Sequence, residues 1–257
     1  KGWRIIECLN QIRSHPMNKN YILILITTWM LTACSKSKST NANTVNPGIT
    51  NNFTDSINYL ALGDSYTIGT SVDVADSYPN QTFQLLKGAK FTMNSVQIIA
   101  KNGWTADDLK NGLASADKKS IYQVVSILIG VNNQYQGRSI KDFETAFVSV
   151  LQSAILLTGN KSKRVFVISI PDWGITPFAS GRDRKEIATE IDNYNLICEK
   201  NAKLYGANYI NITDAYRLEG FKPDYLSYDG LHPSKLEYNK WAIKLTQQIT
   251  NIFASGG

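Results

Sequence analysis

The sequence predicts an α/β domain with a central parallel sheet of about five strands. Short apolar runs alternate with longer amphipathic segments from residue 56 to residue 254. The runs are rich in β-branched and aromatic residues, which favour strands, whereas the longer segments repeat their apolar residues at helical spacing. Such alternation is typical of a parallel sheet with helices on both faces.

Five apolar runs supply the predicted strands, and five amphipathic segments supply the predicted helices. The strands are Asn58–Gly63, Val96–Ala100, Val124–Gly130, Arg164–Ile170 and Tyr209–Ile212. The helices are Tyr78–Lys87, Ala106–Ala116, Asp142–Leu157, Arg184–Tyr205 and Lys235–Phe253. The third helix has the clearest apolar face, at three- and four-residue spacing. That face consists of Phe143, Ala146, Phe147, Val150, Leu151, Ala154 and Ile155.

Residues 1–33 have the pattern of an export signal rather than of a fold. Lys19 precedes an apolar run from Tyr21 to Leu31, which is shorter than the roughly 20 residues of a bilayer span. Small residues then lead into Cys34, and this sequence resembles the bacterial lipobox, whose cysteine is lipidated and becomes the first mature residue. We therefore predict a start at Met17, lipidation at Cys34, and export to the cell envelope with a lipid anchor in its membrane. The alternative is an ordinary signal peptide with a chance cysteine.

Residues 34–55 predict a flexible tether, because they are mostly Ser, Thr, Asn and Lys and too polar to bury a core. The roughly 200 residues that follow, 56–254, are enough for one compact domain, which we expect to be monomeric. The formal charge is +6 for the whole chain and about +3 after residue 33. That charge is too small to indicate a nucleic-acid partner.

The three cysteines predict neither a disulfide nor a metal site in the mature domain. Cys8 lies in the leader and Cys34 carries the lipid, which leaves Cys198 alone. A single cysteine in an amphipathic helix is more often a core residue than a nucleophile. The sequence has no CxxC pair and no histidine cluster, so we expect no metal.

Polar or glycine residues follow four of the predicted strands. Ser65 follows the first, Gly103 the second, Gly130 and Asn132 the third, and Asp172 the fourth. Ligands of parallel sheets bind outside the carboxyl ends of the strands. We therefore expect these residues to lie along one edge of the sheet.

The histidine count narrows the choice of a catalytic base. The sequence has two histidines, and His15 precedes the export signal, so only His232 belongs to the domain. A serine hydroxyl needs a neighbouring base to take its proton. The sequence therefore predicts Ser65 as nucleophile, His232 as base, and Asp229, three residues earlier, as the group that orients the imidazole. The alternative is that the Gly63-Asp64-Ser65 segment is an ordinary strand-to-helix turn and that the loop containing Asp229 and His232 only caps a helix.

Three hydrogen-bond donors are candidates for an oxyanion hole. They are the backbone N–H of Ser65, the backbone N–H of Gly103, and the side-chain amide of Asn132. Glycine suits this role because it lets the backbone approach a ligand closely. Each of the last two also has a simpler explanation, since Gly103 can merely make a turn and Asn132 can cap a loop.

Together these segments resemble the four sequence blocks of the SGNH (GDSL-type) hydrolases, in the order of that family. The blocks are GDSY at 63–66, NG at 102–103, GVN at 130–132 and DGLH at 229–232. The resemblance implies a flavodoxin-like three-layer α/β/α sandwich, hydrolysis of carboxylic esters or thioesters, and no cofactor. It also implies the catalytic roles given above for Ser65, His232 and Asp229, and oxyanion roles for Ser65, Gly103 and Asn132.

Two positions depart from that family's pattern. Tyr66 replaces the leucine of the GDSL name, at a position that varies and is not catalytic. Asn133 stands where many members have aspartate, which leaves its supporting role open. Two other classes fit less well, because the sequence lacks the Gly-x-Ser-x-Gly elbow of an α/β-hydrolase and the Asp and His clusters of a metal-dependent phosphoesterase.

Residues next to the blocks are predicted to line the substrate. They are Trp104, Asn133, Tyr135, Asp172 and Trp173. An aromatic lining suits sugar rings, aryl groups and acyl chains alike, and these aromatic residues can equally pack loops onto the domain. For Asp172, a turn after proline is favoured.

We predict a serine esterase that forms an acyl-enzyme and cleaves short, acetyl-type esters, with acylated carbohydrate as a candidate substrate. One alternative is a lysophospholipase, a lipase-like enzyme or a thioester acyl hydrolase. Another, of a different class, is a non-catalytic surface binding protein on the same scaffold.

Overall fold

The structure is a computed structural model that describes residues 56–256. The predicted export signal, the lipidation of Cys34 and the tether all fall in residues 1–55 and lie outside the described residues. Within the described part of the chain, no helix combines the length and the apolar character that a membrane span requires.

Five strands form one fully parallel sheet, as the strand–helix alternation predicts. The strands are β1 (Ile57–Gly63), β2 (Met93–Ala100), β3 (Val124–Leu128), β4 (Val165–Ile168) and β5 (Asn208–Ile210). They lie in the order β2-β1-β3-β4-β5, and every neighbouring pair is parallel. This is the flavodoxin-like strand order, so the predicted fold is confirmed.

Eight α-helices connect and follow the strands in the described chain. They are α1 (Ser65–Ile68), α2 (Tyr78–Gly88), α3 (Ala106–Ser115), α4 (Val131–Tyr135), α5 (Ile140–Leu157), α6 (Arg184–Leu204), α7 (Thr213–Glu219) and α8 (Lys235–Ala254). The five predicted helices correspond to α2, α3, α5, α6 and α8. The other three were not predicted, because four to seven residues are too few for a periodic apolar pattern.

The chain reverses its direction across the sheet once, and this reversal creates the two helical layers. It moves from β1 out to β2, and then back past β1 to β3, β4 and β5. Right-handed crossovers therefore place α2 on one face and α3, α5 and α6 on the other. Accordingly α2 packs against α8, whereas α3 and α6 pack against α5. The switch point between β1 and β3 is where such sheets bind ligands.

Side-chain hydrogen bonds explain why the fourth strand is shorter than predicted. The prediction runs to Ile170, but β4 ends at Ile168. The backbone of Ile170 pairs with the amide of Asn195 in α6 instead of a strand, at 2.7 Å for its N–H and 3.0 Å for its carbonyl. A local apolar pattern cannot reveal this substitution of a side chain for a strand partner.

The core lies on both faces of the sheet. Every residue of β3 and β4 is buried, and so is all of β1 except one half-buried position. Burial on both faces explains why these strands are continuous apolar runs rather than alternating ones. The loops at the carboxyl ends of the strands therefore extend from a well-packed sheet.

Candidate active site

The turn after β1 places Ser65 at the edge of the sheet. Gly63 ends the strand, and a Cβ on it would lie 2.0 Å from Thr67 Oγ1 and 2.3 Å from the carbonyl oxygen of Leu128. Only glycine therefore allows this close approach. Ser65 starts α1 directly afterwards and keeps 8% of its surface exposed. Its N–H belongs to the first turn of the helix, where no helical acceptor is present.

Asp64, between these two residues, is a buried carboxyl group. It is fully buried, and its Oδ1 accepts a hydrogen bond from the N–H of Tyr66 at 3.0 Å. Its Oδ2 has no hydrogen-bond partner among the described residues. Burial raises the pKa of Asp64 to about 7, although hydrogen bonds from the backbone N–H groups of Tyr66 and of Asp64 itself oppose the shift.

The loop after β2 carries Gly103 in a left-handed conformation, with a φ of 79°. Glycine adopts this conformation without the strain that a Cβ would cause. Its neighbour Trp104 is half-buried, and the indole ring packs against Gly112 of α3. The carbonyl of Trp104 accepts a hydrogen bond from the side chain of Asn132 at 3.0 Å. The two candidate oxyanion donors, Gly103 and Asn132, therefore lie on segments that are bonded together.

Asn132 lies in α4, which follows β3. A side-chain amide has two N–H donors. The bond to Trp104 uses one of them and fixes the plane of the amide, so the second donor remains for a ligand. The predicted positions of Ser65, Gly103 and Asn132 at the ends of β1, β2 and β3 are all borne out by the fold.

Asn133 has a structural contact with α3, and its predicted place in a substrate lining stays a prediction. It is buried, and its Oδ1 accepts a hydrogen bond from the N–H of Ala106 at 2.8 Å. That N–H is in the first turn of α3, where the helix itself provides no acceptor. Asn133 therefore ties α3 to α4.

The loop before α8 holds the candidate base in a fixed orientation. His232 Nδ1 lies 2.6 Å from Asp229 Oδ2, while Asp229 Oδ1 accepts hydrogen bonds from the N–H groups of Leu231 and His232, both at 2.9 Å. A further hydrogen bond, from Ser71 Oγ to Asp229 Oδ2, is also 2.6 Å long. Four donors therefore surround one carboxylate.

Asp229 remains ionised across the neutral range. Burial favours its neutral form and raises its pKa, but the hydrogen bonds from Ser71, His232 and Leu231 outweigh this effect and lower the pKa to about 2. An ionised carboxylate can only accept hydrogen bonds. It therefore holds the proton of a neutral imidazole on Nδ1, and leaves Nε2 of His232 free to act as a base.

Tyr66 connects the serine turn with the histidine. Its ring centroid lies 5.1 Å from that of His232 and 6.2 Å from that of Trp241 in α8. Ser65 precedes Tyr66 directly, so the residue that packs against the base candidate is the chain neighbour of the nucleophile candidate. Among the described residues, the imidazole makes its one hydrogen bond to Asp229. Contacts between a catalytic base and a nucleophile often tighten only when substrate is bound.

The predicted aromatic lining is part buried and part exposed. Trp173 is buried, and its indole N–H donates to Gln134 Oε1 at 2.7 Å. Its role in lining the substrate stays a prediction. Tyr135 is 44% exposed, and Phe178 is 46% exposed. The three rings contact one another, with centroids 5.4 to 6.1 Å apart. We call Tyr135, Trp173 and Phe178 the aromatic patch.

Asp172 forms the turn that was favoured for it, and its substrate-lining role stays a prediction. The side chain is buried, its Oδ1 accepts from the N–H of Gly174 at 2.8 Å, and its Oδ2 pairs with Arg217 Nε at 2.8 Å. The Arg217 guanidinium also bonds Asp192, at 2.8 Å. Both carboxylate oxygens of Asp172 are therefore occupied by protein donors.

A surface cavity of about 600 Å³ adjoins the Asp229 loop. Most of its lining residues have polar side chains: Ser71, Val72, Asp73, Asp76, Ser227, Tyr228, Ser234 and Lys235. Within residues 56–256, no cluster of three or more His, Cys, Asp or Glu side chains is arranged to hold a metal ion. Ser65, His232 and Asp229, at this edge of the sheet, are groups of the kind that carry out nucleophilic and acid–base chemistry.

Comparison with known proteins gives a family and a set of similar folds. The model of the GDSL-like Lipase/Acylhydrolase family matches residues 61–239. A search of curated proteins finds no significant match.

Solved structures with the same fold have low sequence identity to this chain. The esterase EstA of Pseudoalteromonas sp. is 14% identical, with a TM-score of 0.59, over 77% of this chain and 98% of that one. A lipase/acylhydrolase of Enterococcus faecalis is 17% identical, with a TM-score of 0.58, over 76% and 96%. Axe2, an acetylxylan esterase of Geobacillus stearothermophilus, is 19% identical, with a TM-score of 0.60, over 75% and 94%.

Proposed function

This chain belongs to the GDSL-like lipase/acylhydrolase family and is a carboxylic ester hydrolase, and we propose that it cleaves short acyl esters of carbohydrates through Ser65, His232 and Asp229. The hydrogen bond of 2.6 Å between His232 Nδ1 and Asp229 Oδ2 carries this proposal. It fixes the tautomer that a general base needs, on a ring that packs against the neighbour of Ser65. The four donors on Asp229 support the same role, because they keep the carboxylate ionised and oriented.

In the first step, His232 Nε2 takes the proton of Ser65 while Ser65 Oγ attacks the carbonyl carbon of the ester. Asp229 stabilises the imidazolium that results. The carbonyl oxygen becomes an oxyanion, and the N–H groups of Ser65 and Gly103 and the second amide proton of Asn132 are its donors. The imidazolium then gives its proton to the leaving alcohol, and the acyl group stays on Ser65.

In the second step, His232 Nε2 takes a proton from water, and the resulting hydroxide attacks the acyl carbon of the acyl-enzyme. The same three donors stabilise the second oxyanion. When this intermediate collapses, Ser65 Oγ recovers the proton from His232 and the carboxylic acid leaves. The cycle uses these side chains, the two backbone N–H groups and water.

The aromatic patch supports a ring-shaped alcohol as the leaving group. Tyr135 lies in α4 three residues after Asn132, and the N–H of Phe178 donates to the carbonyl of Gly230 at 3.0 Å, beside Asp229. The two exposed rings therefore join the oxyanion side of the site to the histidine side. Exposed aromatic faces bind the apolar faces of ring-shaped ligands, with polar groups to set the orientation. The Arg182 guanidinium, 5.6 Å from the Tyr135 ring, is such a group.

The polar cavity beside Asp229 supports a substrate with many hydroxyl groups. Serine, aspartate and lysine side chains dominate its lining, which suits sugar hydroxyls better than a long acyl chain. The similarity in fold to an acetylxylan esterase is consistent with this substrate class. An acyl chain of two to four carbons on a carbohydrate is therefore the proposed substrate.

Hydrolysis of p-nitrophenyl acetate, butyrate and octanoate tests the chain length, with Ser65→Ala as the inactive control. We expect kcat/KM to fall beyond butyrate, and at least about 1000-fold loss in Ser65→Ala. A maximum at octanoate would favour a lysophospholipase-like or lipase-like enzyme. Activity that survives Ser65→Ala would refute the mechanism, and no activity on any ester would favour a surface binding protein.

Variants of the aromatic patch test the alcohol part of the substrate. In Tyr135→Ala and Phe178→Ala, we expect kcat/KM to fall on an acetylated oligosaccharide and to stay unchanged on ethyl acetate, which has no ring to bind. Phe221→Ala removes a comparably exposed ring outside the patch, with 50% exposure, and is the matched control. An equal loss on both substrates would contradict a role in carbohydrate binding.

We also propose that the protein is exported, cleaved before Cys34, lipidated there, and anchored to the cell envelope as a monomer. The apolar run that ends at Leu31 and the small residues before Cys34 support this. Mass spectrometry of the amino-terminal peptide in wild type and in Cys34→Ala tests it. An unmodified Cys34 in membrane-free protein would contradict the anchor, and size-exclusion chromatography of detergent-extracted protein tests the monomer.

A further inference from the structure

The loop that follows α1 touches three separate parts of the candidate site. The N–H groups of Gly69 and Thr70 both donate to the carbonyl of Ser65, at 3.1 Å. The side chains of Thr70 and Ser71 then bond to different partners. Thr70 Oγ1 donates to Asn102 Oδ1 at 2.6 Å, and Ser71 Oγ donates to Asp229 Oδ2 at 2.6 Å.

These two bonds join segments that are far apart in the chain. Asn102 precedes Gly103, and it lies 32 residues from Thr70, whereas Asp229 lies 158 residues from Ser71. The loop is held on the backbone of Ser65 itself. Two adjacent hydroxyls therefore connect the nucleophile turn with the glycine of the oxyanion hole and with the carboxylate that orients His232.

Ser71 has a backbone conformation that is unfavourable for a residue with a side chain. Its φ is 70°, in the left-handed region that disfavours residues with a Cβ. Glycine would fit this backbone better but has no hydroxyl. Strained residues of this kind persist where the surrounding structure holds them, often at functional sites.

We propose that Thr70 and Ser71 are positioning residues, Ser71 for the Asp229 carboxylate and Thr70 for the Asn102–Gly103 turn. Neither hydroxyl reacts with substrate. Ser71 shares Asp229 Oδ2 with His232 Nδ1, so it limits how the carboxylate can rotate and how much of its charge acts on the imidazole. This inference rests on the proposed esterase mechanism for Ser65, His232 and Asp229.

Two variants of Ser71 separate positioning from folding. Ser71→Gly and Ser71→Ala both delete the hydroxyl, but glycine also relieves the backbone strain, so we expect its melting temperature to be unchanged or higher. In both variants we expect kcat to fall about tenfold with KM changed less than twofold, because a charge-assisted hydrogen bond is lost. The acid limb of the pH profile of kcat/KM should move to higher pH. Without the hydrogen bond from Ser71, the Asp229 carboxylate stabilises protonated His232 more strongly.

Two further variants serve as comparisons. Ser95→Ala deletes a hydroxyl that donates to Asn58 Oδ1 at 2.9 Å, at the opposite end of the sheet, and should leave kcat and the acid limb as in wild type. Thr70→Val should lower kcat without moving the acid limb, because Asn102 does not contact the histidine pair. Wild-type kcat and acid limb in both Ser71→Gly and Ser71→Ala would overturn the proposal. So would a loss of activity with an unmoved acid limb, which would assign Ser71 to the fold alone.

An NMR titration of the His232 ring distinguishes failure of this inference from failure of the esterase mechanism. The ring resonances should titrate at higher pH in Ser71→Gly than in wild type, whether or not an ester is cleaved. If wild type cleaves no ester but the NMR shift is present, the mechanism fails and the positioning of Asp229 stands. If esters are cleaved and the resonances titrate alike, the positioning role is overturned.

Discussion

The buried carboxyl of Asp64 should make the stability of this enzyme decrease as the pH rises towards neutral. Its pKa is raised from an ordinary value of 3.8 to about 7, by burial. At pH values between these two, the native state holds a proton that the unfolded chain has released. The unfolded state therefore binds fewer protons, and the free energy of unfolding falls as the pH increases.

The size of the effect follows from the difference of about three pKa units. Each unit corresponds to about 1.4 kcal/mol, so the full penalty on the alkaline side is on the order of 4 kcal/mol. Roughly 3 kcal/mol of it develops between pH 5 and pH 8. Asp229, whose pKa is lowered to about 2, contributes the opposite way, and its stabilisation is lost only as the pH falls from about 4 towards 2.

Asp64→Asn tests this, because an amide keeps the oxygen that accepts from Tyr66 and cannot ionise. Urea unfolding followed by tryptophan fluorescence gives the free energy of unfolding at pH 5 and at pH 8. Between pH 5 and pH 8, we expect the free energy of unfolding of Asp64→Asn to rise by roughly 3 kcal/mol relative to that of wild type. Contributions from ionisable groups that both proteins share cancel in that difference. The control Ser65→Ala changes the same turn and should keep the wild-type pH dependence, and a pH-independent difference for Asp64→Asn would refute the reasoning.

Three other predictions concern catalysis, packing and thiol reactivity. Asp229→Asn should lower kcat/KM at least about 100-fold, because the imidazole loses the partner that sets its tautomer, and an unchanged rate would contradict the Asp229–His232 pairing. Gly63→Ala should destabilise the fold by about 3 kcal/mol or more in urea unfolding, since its Cβ would lie 2.0 Å from a threonine hydroxyl, whereas Gly88→Ala, with open space around it, should be neutral or stabilising. Burial raises the pKa of the Cys198 thiol well above its usual range. Peptide mapping should therefore find Cys198 alkylated by iodoacetamide in urea but not in the native protein. Rapid labelling of the native protein would instead show that the helix opens at Cys198.

The sequence did not predict the short helices or the burial of two candidate lining residues. The strand–helix alternation located all five strands and the five long helices, because apolar periodicity is a local property. Helix α4 and the burial of Asn133 and Trp173 were not predicted. Asn133 of α4 bonds to Ala106 of α3, and no pattern within either segment reveals that contact.

Asp172 and Ser71 show two further ways in which a local pattern falls short. The turn at Asp172 was predicted, but its pairing with Arg217 across 45 residues was not. Ser71 was not identified at all, because its backbone conformation and its bond to Asp229 exist only in the folded chain. The signal in the sequence was only a serine shortly after the GDSY block.

The sequence by itself determined the fold class, the family blocks, and the identity of the nucleophile, base and carboxylate candidates. It could do so because each depends on a short segment, and because the domain has a single histidine, His232. The tertiary structure decided which neighbours are exposed and which are buried, and how the blocks are held together. Those properties depend on hydrogen bonds such as that between Ser71 and Asp229, which form only when the sheet brings distant loops to one edge.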